Sequence, residues 1–113
     1  MAEIYDQDIC LYKDIKVADS FLKKLVGLLG SKSLNANQGL LLENCKQVHM
    51  FGMKYPIDVI FIAEDGNVLS YEDGLQPGKV SAYVKEAKWV LEVQAGSFMK
   101  FRKNQSQKLK LKV

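Results

Sequence analysis

The sequence is poor in the residues that most often build metal centres. It contains two cysteines and one histidine. The cysteines, Cys10 and Cys45, are far apart and form no Cys-x-x-Cys pair, whereas a structural zinc site usually needs four Cys or His ligands at close spacing. We therefore expect two reduced, largely buried thiols, no metal and no cofactor.

Arginine is almost absent, because fifteen of the sixteen basic residues are lysine and only Arg102 is arginine. Arginine is the residue favoured for bidentate recognition of phosphate and bases. With a net charge of only +3, the composition argues against nucleic-acid binding. An unknown small molecule or protein is the expected partner.

Long apolar runs are also lacking, and the first residues, MAEIYDQDICLYKD, are rich in charge. This pattern argues against a signal peptide or a membrane span in the sequence. We expect a cytoplasmic protein of bacterial type that has no contact with a membrane.

The 113 residues, of which 48% are apolar and 26% charged, suit one globular domain over residues 1–113. Short alternating segments separated by Gly, Pro and Asn predict strands at DICLYKDIKV, GLLLE, KQVHMF, IDVIFIA, VLSYE, VSAYV, KWVLEV and QKLKLKV. Apolar residues at three- and four-residue spacing predict one short helix near residues 19 to 29. The predicted fold is a mainly β antiparallel sandwich or barrel with this one helix.

The segment IDVIFIA contains a lone carboxylate, Asp58. Alternation divides the strand into two largely apolar faces, Ile57, Val59, Phe61 and Asp58, Ile60, Ile62. A central strand covered on both sides is predicted, and an unpaired buried charge there would cost several kcal/mol. We expect Asp58 to accept hydrogen bonds from backbone N–H groups, a lysine, Arg102 or His49. A ligand-binding role for Asp58 is the alternative.

His49 lies in CKQVHMFGM, where Cys45, His49 and Met53 would share one face of an extended strand. Such a series suggests copper, zinc or a thiol nucleophile with its base. Positions four apart in a strand are however roughly 13 Å apart at about 3.3 Å per residue. A packed or rim histidine is therefore expected, with ligand binding as the alternative. Lys54 is a further candidate for ligand binding.

The central block, CKQVHMFGMKYPIDVIFIAEDGNVL, resembles domain-of-unknown-function family 192, whose Gram-positive-type members carry C-x-x-I-H-T-F-x-M-R-F-P-I-D-V-x-F-L-D. The flanks agree, since KKLVGLLGSKSL is similar to G-L-M-x-R-x-x-L, and AKWVLEVQAG is similar to A-x-x-V-L-E-L-x-A-G. The resemblance covers about residues 15–112. It implies a compact, jelly-roll-like β-sandwich or barrel with a small helix, and it brings no activity, cofactor or substrate.

The family positions that map onto this chain are Gly27, Cys45, His49, Met53, Pro56, Asp58, Phe61, Glu92 and Gly96. Two positions depart from the pattern. Ser31, or Lys32 with a one-residue shift, stands where the family has Arg, and Ser106–Gln107 stands where it has Gly-Asp. Any function of that Arg or Asp would be weakened in this protein.

Glu92 shares a strand face with Val90 and Gln94, opposite to Trp89, Leu91 and Val93. It is interpreted either as surface or as a second carboxylate near Asp58. Two carboxylates in one cleft would suit acid–base or sugar chemistry. The last residues, KLKLKV, read as an edge strand whose lysines deter edge-to-edge pairing, with a weak nucleic-acid surface as the alternative.

Three functions follow from these patterns. The first is a non-enzymatic β domain that binds a ligand or partner. The second is a small enzyme or sugar-binding domain that uses Asp58, His49 and Glu92 in one cleft. The third is a lysine-driven nucleic-acid binder. We favour the first, and convergence of the three named side chains would favour the second.

Overall fold

The computed structural model describes residues 1–19, 33–104 and 106–113. They form seven strands: β1 Ala2–Asp6, β2 Ile9–Asp19, β3 Gln38–Glu43, β4 Ile57–Ile62, β5 Val68–Leu75, β6 Trp89–Gln94 and β7 Lys110–Lys112. A 3₁₀ turn, Phe98–Lys100, lies between β6 and β7. No α-helix occurs within the described ranges, and the predicted mainly β character is confirmed.

The strands form one sheet in the order β5-β4-β6-β3-β2-β1-β7. All neighbours are antiparallel except β2 and β3, which run parallel. The predicted helix near residues 19 to 29 falls on the connection between these two strands. Asp19 is the last residue of β2, and the remainder of that prediction lies outside the described residues.

The sheet curls into a half-barrel, so that its outer strands approach each other. An isolated antiparallel bridge joins Asn67, just before β5, to Lys108, just before β7. The Val68 N–H donates to the Gln107 carbonyl at 2.8 Å, and the Leu109 N–H donates to the Gly66 carbonyl at 2.9 Å. We call these contacts the clasp, because they join the two ends of the sheet.

Each face of the sheet carries an apolar core. All seven strands contribute to the concave face, called the inner core, through Ile4, Tyr12, Leu41, Ile60, Val68, Leu91 and Leu111, among others. The opposite face, called the outer core, buries side chains of β3, β4 and β6 against Cys45, Val48, Met50 and Met53. The six residues of β4 are all buried, and they divide between the two cores as the alternation predicts.

Two predicted strands, KQVHMF and VSAYV, are wrong. Residues 46–50 and 79–84 do run alongside each other, but only His49 and Val80 form a β-bridge. The Ser81 hydroxyl accepts the N–H of Val48, and a turn at Gly52, whose φ is +82°, ends the first segment. Backbone hydrogen bonds such as Ser81 N–H to the Val48 carbonyl also join the two segments, but they do not extend into a regular ladder.

The clasp requires glycine at position 66. Gly66 has a φ of +96°, and a Cβ placed on it would lie 2.3 Å from the carbonyl oxygen of Leu109. Gly78 has a similar φ of +83° but open space around it. Gly78→Ala should cost about 1 kcal/mol from the left-handed backbone alone. Gly66→Ala should cost clearly more, because the Leu109 backbone must also move. Urea midpoints of the two variants test this, and equal midpoints would contradict it.

Candidate functional site

The Asp58 carboxylate is held by three backbone N–H groups. Its Oδ1 accepts from Gly74 at 2.8 Å and from Gly96 at 3.0 Å. Its Oδ2 accepts from Phe98 at 3.1 Å. The side chain is only 1% exposed, so its charge is compensated entirely inside the inner core. The expectation that backbone donors satisfy Asp58 is confirmed.

Tyr12 and Ser97 lie beside this carboxylate and are also buried. Their hydroxyl groups are 2.9 Å apart. Burial raises the pKa of Tyr12 from 10.0 to about 12, the hydrogen bond with Ser97 lowers it, and the negative charge of Asp58 raises it. Tyr12 is therefore neutral at physiological pH. The cluster is closed to solvent, which suits a structural role better than catalysis.

Glu92 lies on the other side of the sheet from Asp58. Its cross-strand partners are Leu40 and Val59, both of the outer core, whereas Asp58 pairs with Val93 of the inner core. Cross-strand partners project to the same face, so the two carboxylates are separated by the sheet itself. The alternative in which Asp58, His49 and Glu92 share one cleft is therefore wrong, because the sheet separates the two carboxylates. Glu92 is fully buried, so the surface interpretation is wrong too.

His49 is half-buried at the surface of the 46–50 segment. Its ring stacks on that of Phe51, with 4.9 Å between centroids and 27° between planes. Phe51 is 57% exposed, and Lys54 is exposed as well. Cys45 lies in the outer core, where its Sγ donates to the carbonyl of Gln47 at 3.3 Å. Within the described ranges, no three His, Cys, Asp or Glu side chains are grouped so as to hold a metal ion.

An open cleft of about 590 Å³ lies at the clasp, away from all of these residues. Four parts of the chain meet there: the β1–β2 turn, the β4–β5 turn, the start of β6 and the residues around β7. They contribute Gln7, Asp8, Glu64, Asp65, Gly66, Trp89 and residues 108–111. We call this the Trp89 cleft.

The floor of the Trp89 cleft is apolar and its rim is charged. Trp89, Leu109 and Leu111 all pack against the inner core, so the floor is the exposed margin of that core. The rim carries Asp8, Glu64, Asp65, Lys108 and Lys110 on turns and on the edge strand. An apolar floor with a few polar groups around it is typical of small-ligand sites.

Sequence reasoning assigned Trp89 to the face of Leu91 and Val93, but it did not recognise a site there. The strand alternation was the available signal, since an aromatic residue at the end of a core-facing row can lie at the margin of the core. The rim residues carried no local signal, because only the curl of the sheet brings the two turns and β7 together.

A second, smaller cavity of about 200 Å³ lies at the other end of β6. Its lining includes Leu34, Tyr55, Pro56 and Gln94, and the Gln94 side chain donates to the carbonyl of Leu34 at 3.1 Å. Leu34 and Tyr55 pack against the outer core. This cavity is small beside the usual range of about 300–1,000 Å³ for ligand pockets.

The fold and cleft together define a mainly β protein whose curled sheet carries an open site where its two ends meet. In the part of the chain that the structure describes, no helix has the length and apolar character needed to cross a membrane. The chain belongs to the family DUF192, described as Uncharacterized ACR, whose model matches residues 5–111. The resemblance noted in the sequence is confirmed. No match was found among curated proteins.

Two solved structures share the fold. A protein of unknown function from Novosphingobium aromaticivorans DSM 12444 has a TM-score of 0.78 at 16% identity, over 96% of this chain and 82% of its own. A protein of Sinorhizobium meliloti 1021, called a "putative transcription regulator", has a TM-score of 0.77 at 18% identity, over 97% of this chain and 93% of its own. At such identities the likeness establishes the fold alone.

Removing the Asp58 carboxylate should destabilise the protein strongly. Asp58→Ala leaves three backbone donors without their acceptor, at about 1–3 kcal/mol for each buried group. Asp58→Asn should cost less, because its amide oxygen still accepts. Asp8→Ala, which removes an exposed carboxylate, is the control and should stay within about 0.5 kcal/mol. Denaturant midpoints measure these effects, and an unchanged midpoint in Asp58→Ala would refute the structural role.

Tyr12 should make stability fall at high pH. Its folded pKa of about 12 exceeds the ordinary value of 10.0, so the folded state favours the neutral phenol. That contribution is fully present below pH 10 and is lost as the pH rises towards 12, with a slope of up to about 1.4 kcal/mol per pH unit. Tyr12→Phe should lack this slope. Unfolding free energies measured from pH 9 to 12 check it, and parallel curves would contradict it.

Proposed function

We propose that residues 1–113 form one domain that binds a small ligand non-covalently in the Trp89 cleft. The observation that carries the proposal is the half-buried indole of Trp89 on the floor of this cleft. An indole offers a large, rigid apolar face that needs little ordering upon binding. The surrounding rim supplies both hydrogen-bond donors and acceptors.

A binding role fits the cleft better than catalysis. Catalytic groups work when packing and neighbouring hydrogen bonds hold them in place. Asp8 and Glu64 lie instead on exposed turns. Of the buried carboxylates, Asp58 and Glu92 lie on opposite faces of the sheet, and Asp6 is engaged by Gln107 and Lys103. The charges at the cleft also argue against nucleic acid, because the carboxylates of Asp8, Glu64 and Asp65 line it together with Lys108 and Lys110.

Trp89 makes the proposal directly testable, since it is the only tryptophan in the chain. A compound from a small-molecule and glycan library that enters the cleft should change the emission of Trp89 and raise the melting temperature of the protein. Trp89→Ala should weaken binding of that compound by about tenfold or more. Calorimetry measures this, because the variant has lost the fluorophore.

Tyr83→Ala is the matched control, because Tyr83 is an exposed aromatic residue outside the cleft. It should leave the affinity unchanged. Trp89→Phe keeps an aromatic floor and serves where Trp89→Ala fails to fold, as judged by circular dichroism. A library without any effect on Trp89 emission, or a ligand that binds Trp89→Ala as well as the natural protein, would refute the proposal.

A further inference from the structure

The rim of the Trp89 cleft carries charges of both signs, and one of its carboxylates is already engaged by internal hydrogen bonds. Both carboxylate oxygens of Asp65 accept from Asn67, one from its N–H at 3.0 Å and one from its side-chain amide at 3.1 Å. Among the residues that the structure describes, the side chains of Asp8, Glu64, Lys108 and Lys110 make no hydrogen bond or ion pair. Two carboxylates and two ammonium groups therefore remain available to a ligand.

These four groups do not neutralise one another in the cleft, because no carboxylate oxygen and ammonium nitrogen among them come within salt-bridge distance. A singly charged ligand of either sign would meet like charges among the residues that line the cleft. A neutral ligand avoids this repulsion. It must nevertheless offer hydrogen bonds of both kinds to the rim.

The chemistry of the rim groups selects hydroxyl groups on the ligand. A carboxylate only accepts hydrogen bonds and an ammonium group only donates them, whereas a hydroxyl group does both. A compound with several hydroxyl groups can therefore donate to Asp8 and Glu64 while it accepts from Lys108 and Lys110. Bonds with ionised partners are also the stronger ones.

The floor requires one apolar face on the same compound. The faces of aromatic rings are electron-rich and attract weakly positive C–H edges. A sugar ring presents a patch of C–H groups on one face and hydroxyl groups around its circumference. This is the arrangement that Trp89, Leu109 and the charged rim would complement. The volume of about 590 Å³ falls in the middle of the range for ligand pockets.

We infer that the ligand of the Trp89 cleft is a neutral saccharide, an inference that rests on the proposed function. The sugar would lie with its C–H face on Trp89 and its hydroxyl groups towards Asp8, Glu64, Lys108 and Lys110 of the rim. This site differs from the family's central block of Cys45, His49 and Asp58, which lies elsewhere in the fold.

The experiment uses the full chain and follows Trp89 emission while compounds are added at millimolar concentration. One set contains neutral sugars: methyl glucosides, methyl mannosides, methyl galactosides, N-acetylglucosamine and their disaccharides. A second contains glucuronate and glucosamine, which add one charge of either sign. A third contains amino acids and small aromatic alcohols. We expect saturable changes in the first set, with affinities at least fivefold weaker in the second.

Glu64→Gln should weaken binding of the best sugar by about tenfold, equivalent to about 1.4 kcal/mol, because a charged acceptor is lost. Glu86→Gln is the matched control, since Glu86 is equally an exposed glutamate but lies outside the cleft. It should leave the affinity unchanged. Because both changes lie on the surface, neither should alter the fold.

The outcomes separate the two proposals. Compounds of the second or third set that bind through Trp89, while neutral sugars do not, would overturn the saccharide assignment and leave the proposed function intact. If no compound of the three sets or of the wider library binds, both proposals are overturned. A sugar that binds without changing Trp89 emission, and equally well to Glu64→Gln, would place its site elsewhere and also overturn the inference.

Discussion

The hydrogen bonding of Asp58 is the constraint on which the rest of the fold depends. One carboxylate on the central strand β4 accepts from Gly74 at the end of β5 and from Gly96 and Phe98 after β6. It thereby sets where the chain leaves β6 and begins the long return to β7. Because the inner core excludes water at this point, no solvent molecule can accept hydrogen bonds from these three N–H groups in place of the carboxylate. The return segment in turn carries Gln107, Lys108 and Leu109, which form one half of the clasp.

The return segment also covers β5, which would otherwise be a long unpaired edge. The Arg102 guanidinium pairs with Asp73 of β5 and lies over the ring of Tyr71, 5.0 Å from its centroid. Thus the only arginine of the chain makes intramolecular contacts at the surface. The Trp89 cleft lies at the clasp, which joins the sheet ends at residues 66–68 and 107–109.

The sequence patterns correctly predicted those structural features that depend on residues close to one another in the chain. The alternation in β4 gave the correct face for Asp58, and the charge argument gave its need for donors. The donors themselves are 16 to 40 residues away and could not be deduced. The same limit applies to KQVHMF, whose alternation resembles a strand although its pairing with residues 79–84 is irregular and includes a side-chain hydrogen bond from Val48 N–H to Ser81. The cleft was missed because its rim exists only after the sheet has curled.

The placement of β1 between β2 and β7 has a consequence for how the chain folds. Glu3, Ile4 and Tyr5 pair with Lys112, Leu111 and Lys110, so the first and last strands of the sequence are neighbours. Such contacts are among the longest-range that a chain of this length can make, and closing long loops slows folding. Before β7 pairs with it, β1 has an unpaired strand edge that is open to other chains. The alternating lysines of that last strand, once it is in place, leave a charged edge that resists further pairing.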